Sequence, residues 1–391
     1  MQNSFEQALS DLFEWCRARN FAGDDPFDAL NSRIFQATPF ARSDTPRLVW
    51  TQLIKRSPVN LRRLALVPAQ TNAKGIALFA LAALANYRRL KTIESENEAR
   101  DLLDNLIGLR ISSYSGAAWG YNFDWQSRHF FAPRGTPMIV PTAFAARALL
   151  QAADTLQEQR YLDIARSSCE FILHDLRRTV EKDDELCFSY SPIDNTCVFN
   201  ASLLAAETLA SVGAITGETE FCDFAVRAGR YVVKRQRGDG AWMYGAAANQ
   251  AWVDNFHTAY VLQSLSLITK TCGAADARLF GEALQRGYKF WRERFFLADG
   301  WPKYYDDALY PADTHSGAAA IVTLLELRAV DNEALPLAQE VANWLLNNMR
   351  DSRGFFYYQR NRLYTVRAPF MRWSQAWTAY ALARLLEEGG L

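Results

Sequence analysis

The 391-residue sequence predicts an all-α fold, an (α/α)6 toroid of six helical hairpins with an irregular N-terminal excursion, and three observations predict it. A three-part phrase recurs along most of the chain: a Gly/aromatic turn, a polar knot, then mostly apolar residues at helical spacing. It is clearest from Gln236 to Ile268, where Gly238-Asp239-Gly240 with Trp242 and Tyr244 leads into Asp254-Asn255-Phe256-His257 and an apolar run. Candidate inner helices begin near Asn72, Thr142, Asn200, Asn255, His315 and Ser374, spaced roughly 55–70 residues apart, which suits two helices and two connections per unit. These six are rich in small residues, as in GIALFALAALA, FAARALLQAA and HSGAAAIVTLL, and small side chains let helices approach closely in a central ring. An open α-solenoid shares these features. Closure is favoured because the last helix, 374–387, lacks the polar outer face of a terminal repeat.

Taken in order, residues 4–19 read as a helix with Phe5, Ala8, Leu9, Leu12, Phe13 and Cys16 on one face. The Pro- and Asp-rich passage 21–68 departs from the repeat and reads as a lid or a wrap over one rim, with a short helix near Thr45–Lys55. Segments 94–109, 158–180, 218–236, 276–296 and 333–349 are amphipathic, carry Arg, Glu and Asp for solvent, and with the N-terminal helix supply six outer partners. Turns such as Trp119-Gly120-Tyr121, Gly300-Trp301-Pro302 and Gly354-Phe355-Phe356 precede inner helices. Their aromatics plug the rim between hairpins or, for some, form stacking platforms in the mouth.

Nearly half the residues are hydrophobic, enough for a large core in one domain spanning 1–391. Lys+Arg and Asp+Glu are both 43, so the net charge of zero gives no overall pull toward nucleic acid or an anionic membrane. The chain opens on Phe5-Glu6-Gln7-Ala8, an amphipathic start rather than a signal peptide, and no transmembrane run follows. Six cysteines without a CxxC spacing read as free thiols of a cytoplasmic protein. GDGAWMYG lacks the lysine and Ser/Thr of a phosphate loop.

Gln236-Arg237-Gly238-Asp239-Gly240-Ala241-Trp242 resembles the Q-x-x-D-G-x-W repeat of triterpene cyclases and prenyltransferase relatives, although the D-x-D-D acid motif is absent. The six-hairpin pattern as a whole resembles the toroid superfamily of glycoside hydrolases, polysaccharide lyases, sugar epimerases and prenyltransferase or terpene-cyclase domains. Asp25-Pro26-Phe27-Asp28-Ala29-Leu30-Asn31-Ser32, Trp119-Gly120-Tyr121-Asn122-Phe123-Asp124-Trp125-Gln126 and Asp254-Asn255-Phe256-His257-Thr258 resemble motifs of a toroid family among bacterial polysaccharide-biosynthesis proteins. That resemblance implies a carbohydrate context and no particular reaction.

Inner-helix N-termini surround one mouth of a toroid, so polar residues there converge however far apart they lie in sequence. This chain places Asn72 and Lys74, Asp124, Gln126, Arg128 and His129, Asn200, Asp254, Asn255 and His257, Asp313, Thr314 and His315, and Arg372, Trp373 and Gln375 at those positions. Helix capping explains an Asp or Asn singly. It does not explain His257, His315, Arg372 and Gln375 at equivalent places. Asp254 and His257 share a helix face, so the carboxylate can orient the imidazole as a general base. His315 stands as the opposing acid or base, and Asp124 with Asp254 is an alternative carboxylate pair. Arg372, Arg128 and Lys74 are candidate anion holders. Trp373, Gln375, Asn255, Trp125, Trp242, Tyr244 and Asn72 complete the candidate substrate contacts. Asp254, His257, Asp313 and His315 have spacings that zinc can use, yet no cysteine joins them, and neither metal nor cofactor is expected.

The reading is an acid–base enzyme acting on a saccharide of bacterial surface-polysaccharide metabolism, of epimerase, lyase or glycosidase type. The alternatives are a terpenoid or prenyl enzyme of the same fold and a non-catalytic saccharide-binding or scaffold protein. A cavity bearing Arg, His and Asp together counts against the terpenoid alternative.

Overall fold

Six runs of small apolar residues stand as helices side by side in a closed ring. The computed structural model describes residues 2–389. In chain order its helices are α1 (Gln2–Arg17), α2 (Arg33–Gln36), α3 (Asp44–Arg56), α4 (Ala73–Leu90), α5 (Ile93–Gly108), α6 (Ile139–Leu156) and α7 (Gln159–His174). They continue with α8 (Phe199–Thr216), α9 (Thr219–Val233), α10 (Asn255–Thr269), α11 (Ala274–Phe295), α12 (Thr314–Glu326), α13 (Ala334–Met349) and α14 (Ala376–Glu388). The inner helix α4 packs on α6, α6 on α8, α8 on α10, α10 on α12 and α12 on α14, and α14 returns to α4. Outside them α5, α7, α9, α11 and α13 each pack on the inner helix before them, while α1 packs on α14. The predicted toroid is therefore closed, with the first helix serving as the outer partner of the last.

Inner helices are buried along most of their length because both flanks and the outer partner cover them; every residue from Ala73 to Ala85 is buried. Three are started by side-chain caps: Asn72 accepts from Lys74 N and Gly75 N, Asp254 from His257 N, and Asp313 from Ser316 N. Boundaries differ from expectation in three places. The helix expected near Thr142 begins at Ile139, since Pro141 falls in the first turn, where its missing N–H costs nothing. The outer segment expected over 158–180 stops at His174. Its last residues form β3 (Arg178–Glu181), antiparallel to β4 (Leu186–Phe188), where Thr179 and Val180 favour extended backbone. The last inner helix starts with a π-turn over Met371–Gln375.

The Gly/aromatic turns have one mechanical job, repeated. Gly240, Gly300 and Gly354 have φ of 94°, 79° and 94°, a region that favours glycine. A Cβ on each would lie 2.5 Å from Arg286 O, 2.6 Å from the Glu340 backbone and 2.8 Å from Asp11 O. Those atoms belong to α11, α13 and α1, so each turn abuts the next outer helix around the ring. The following aromatics wedge there as well. The Trp242 ring lies against Gly287, Trp301 against Trp344 at 5.0 Å, and Phe355 against Trp15 at 5.2 Å. Trp242, expected among the substrate contacts, is thus a wedge whose Nε1 donates to Val232 O at 3.0 Å. By contrast, Tyr244 and Tyr304, four residues after their glycines, reach the central cavity.

The excursion 21–68 is a rim wrap, here termed the strap. It carries its own small core of Ala29, Ile54, Ala65 and Val67. Buried Arg62 pins it by pairing with Asp28 at 2.6 Å and donating to Asp25 O at 2.6 Å. No helix among the described residues is long and apolar enough to cross a membrane. The six cysteines are all free thiols.

Candidate active site

A cavity of about 620 Å³ opens at the N-terminal ends of the inner helices. Lys74 of α4, Asn200 of α8, His257 and Tyr260 of α10, His315 of α12, and Arg372 with Trp373 before α14 all face it. One lip is the strap, through Leu48, Gln52 and Arg56. The other is the hairpin of β1 (Trp125–Gln126) and β2 (Phe131–Ala132). Residues drawn from three hundred positions of sequence thus share one hollow, because a closed ring points every inner-helix start the same way.

On one wall Asp254 serves as cap and orienter at once. Its Oδ1 accepts the His257 N–H at 3.0 Å, and its Oδ2 lies 2.6 Å from His257 Nδ1 and accepts from Trp252 Nε1 at 3.0 Å. The carboxylate is sealed from solvent, whereas the imidazole retains 22% of its exposure. With Nδ1 engaged, Nε2 is the nitrogen presented to a ligand. Tyr244 packs against the imidazole at 4.6 Å and stacks on Trp252 at 4.5 Å and 15°. Arg128 lies over Trp252 at 5.6 Å, extending that aromatic shelf toward the mouth.

The floor is a hydrogen-bonded chain. Lys74 Nζ lies 3.2 Å from Tyr260 Oη, and Tyr260 Oη lies 2.6 Å from His315 Nε2. All three residues are buried. Among the described residues the lysine has no carboxylate partner. It sits over the rings of Phe144, Tyr260 and Trp377 at 4.4, 5.1 and 5.4 Å, a cation–π seat. Burial and the Arg372 guanidinium push its pKa well below the ordinary lysine value. Burial, with Lys74, Arg372 and His257 nearby, likewise pushes His315 well below the ordinary histidine value, so His315 is held neutral. Burial raises Tyr260 well above the ordinary tyrosine range. Two buried polar atoms of cavity residues, His315 Nδ1 and Asn200 Oδ1, have no hydrogen-bond partner among the described residues. Such orphans are uncommon in a settled core and suit the hydroxyls of a polyol.

Arg372 reaches the cavity with its guanidinium fork already taken, donating to both oxygens of Asp25 in the strap at 2.6 and 2.7 Å. It orders the mouth rather than offering a free bidentate anion site. Trp373 packs edge-on against His315 at 4.3 Å and is fixed by Asp313, which accepts its Nε1 at 3.1 Å. Burial raises the Asp313 carboxyl to about 6.

Several expected site residues do structural work instead. Asp124 does not line the cavity. Its Oδ1 accepts from Arg134 N at 2.7 Å, tying the β1–β2 hairpin, so it forms no carboxylate pair with Asp254. Asn72 spends its side chain on capping α4 and on a bond to Asn122. Asn255 bridges Trp291 Nε1 and Lys303 O, and Gln375 clamps both backbone groups of Phe356. Thr314 bonds Tyr357 O. Lys74, Trp125, Gln126, Arg128, His129, Asn200, Tyr244, Asp254, His257, His315, Arg372 and Trp373 do line the cavity. Sequence reasoning passed over Tyr260 and Trp252, named Tyr121 and Tyr190 only as turn aromatics, and assigned no strap residue to the site. Tyr260 had a usable signal, three residues after His257 and so on the same helix face.

No protein-family model matches the chain, and no curated protein matches it. Solved structures do. A cellobiose 2-epimerase from Bacillus thermoamylovorans superposes with a TM-score of 0.61 at 13% identity, covering 81% of this chain and 89% of that one. A GH76 α-mannanase from Bacteroides thetaiotaomicron gives 0.65 at 13% identity, covering 82% and 87%. An unsaturated glucuronyl hydrolase specific for heparin gives 0.64 at 12% identity, covering 100% and 98%. At such identities the likeness establishes the shared toroid.

Proposed function

We propose that this protein is a carbohydrate-active acid–base enzyme that takes a proton from a cavity-bound saccharide with His257 and delivers one from the Lys74–Tyr260–His315 chain. The observation that carries this reading is the pairing of two unlike proton-handling devices in one hollow. His257 is held by a buried carboxylate, which stabilises its imidazolium once it has accepted a proton. The floor chain is hydrogen-bonded, so Tyr260 Oη can give its proton to the substrate, its oxygen steadied by Lys74 Nζ and His315 Nε2, and take one back from solvent as His257 releases the proton it accepted. The His257 and Tyr260 rings meet edge to face at 6.3 Å, so both border the same hollow side by side. Proton removal and return on one substrate is the chemistry of an epimerase, an isomerase or, when the second proton goes to a leaving group, a lyase.

Hydrolysis fits less well. Glycosidases characteristically use two carboxyl groups across the scissile bond. Asp254 is the one acidic side chain among the described residues lining this cavity. The terpenoid reading also loses ground, since a cavity holding Lys74, Arg372, Asp254, His257 and His315 is poorly suited to a hydrocarbon. The aromatic shelf of Tyr244, Trp252 and Trp125 suits the apolar face of a sugar ring. Neighbouring solved structures named as cellobiose epimerase, D-mannose isomerase and glucuronyl hydrolase lend the saccharide class further support.

The test is proton exchange. Incubation with reducing disaccharides and uronate-containing oligosaccharides in deuterium oxide is expected to place deuterium beside the anomeric or carboxylate carbon, or to yield an unsaturated product. His257→Gln is expected to do neither. Retained saccharide binding with no exchange, in wild type and variant alike, would instead establish the non-catalytic binding protein.

A further inference from the structure

The strap turns an unusual face outward. Phe40, Val49, Leu53 and Leu64 are 61%, 62%, 56% and 75% exposed, and Leu363, at the tip of the turn from β6 (Gln359–Arg360) to β7 (Thr365–Val366), is 91% exposed. That turn adjoins the strap, since Tyr364 Oη lies 3.5 Å from Arg56 O. α3 carries apolar residues on both sides, Ile54 buried in the strap core and Val49 and Leu53 facing out. Shallow hollows of about 270 and 700 Å³ flank this outer face and share Val49 and Leu53.

The charge is as lopsided as the hydropathy. From Arg33 to Leu66 the chain has seven Lys/Arg and a single acid, Asp44, a bias hidden by whole-chain totals of 43 and 43. Arg33, Arg42, Arg56 and Arg63 are exposed among the apolar tips, and Arg362 stands exposed beside Leu363.

We propose that this face docks on an anionic lipid bilayer. Apolar side chains that enter the headgroup boundary, interspersed with arginines that meet lipid phosphates, are what interfacial binding requires. A second copy of the chain fits poorly. A two-fold contact would set the same arginines against each other with Asp44 as their sole acid. Docking also has a geometric outcome. Leu48, Gln52 and Arg56 belong both to the strap and to the lip of the central cavity, so the mouth would open at the headgroup layer. On the saccharide reading above, a glycan carried on a lipid would then reach the cavity from the bilayer surface.

Flotation of the full-length protein with vesicles tests this without reference to turnover. Wild type is expected to float with phosphatidylglycerol in phosphatidylethanolamine, to float poorly with phosphatidylcholine alone, and to be released by salt. The combined variant Val49→Ser, Leu53→Ser, Leu64→Ser is expected to lose flotation while keeping the wild-type circular dichroism spectrum and Tm. Replacing Arg33, Arg42 and Arg63 by Ser is expected to lower the partition coefficient about fivefold per residue. Equal recovery with both lipid compositions, or none with either, overturns the proposal. So does a dimer by light scattering that the triple apolar variant converts to monomer, which would assign the face to self-association.

Discussion

Asp25 and Arg372 lie 347 positions apart and meet in a two-pronged ion pair, both side chains nearly sealed from solvent. The pair joins the strap to the last inner helix at the cavity mouth. Removing one partner strands the other as a buried charge, so Asp25→Ala is expected to cost about 3–5 kcal/mol in chemical denaturation. Arg372→Lys is expected to recover little of the wild-type stability, because an ammonium cannot span both carboxylate oxygens.

His257 is the site residue that the fold needs least. Its imidazole is partly exposed, and its place in α10 is secured by its backbone N–H to Asp254. His257→Gln is therefore expected to shift Tm by little and to lower turnover about 10²–10⁴-fold, the usual worth of one acid–base group. Asp254→Asn keeps a cap acceptor and is expected to lower turnover while retaining the helix. Assays of initial rate beside thermal melts separate the two effects.

The floor chain should reveal itself by pH. The folded-state pKa of His315 lies below its unfolded value, so below about pH 6.5 the unfolded chain binds a proton that the folded chain refuses. Stability is expected to fall as pH drops through that range, and less steeply in His315→Gln. Lys74 has the same sign with a higher onset, since its unfolded amine is charged below about pH 10.5. Lys74→Met is expected to raise Tm at neutral pH and abolish turnover, a trade between stability and function. Melts from pH 5 to 9 on the three proteins check both.

Gly240→Ala and Gly300→Ala are expected to destabilise by about 1–3 kcal/mol or more, through the positive φ and the collision with the next outer helix. Gly238→Ala is the control, since an added Cβ there meets nothing within 4 Å. Urea midpoints compare them directly.

The ring was legible because its causes are local and repeated. Small-residue runs, caps at Asn72, Asp254 and Asp313, and Gly/aromatic turns can each be read from a few adjacent residues. The Asp254–His257 relation was legible for the same reason, being one helical step. Residue type alone did not show which polar side chains the backbone had already claimed. Asn72, Asn255 and Gln375 have the composition of ligand contacts and spend their hydrogen bonds on capping and clamping. Asp124 is claimed by a hairpin whose strands are two residues long, too short to leave a period in the sequence. Tyr260 passed for one more apolar residue of α10, because its role depends on Lys74 and His315 arriving from other hairpins. The strap has no repeat to read, and its partners, among them Asn122, Gln126 and Arg372, come from distant parts of the chain.

The docking of α1 against α14 has a consequence for the order of events during synthesis. α1 is made before α14, so the part of its buried face that α14 covers waits until that helix emerges. Nascent chains must therefore shield that surface while every helix between the two is synthesised, and a chain lacking α14 leaves the circle open.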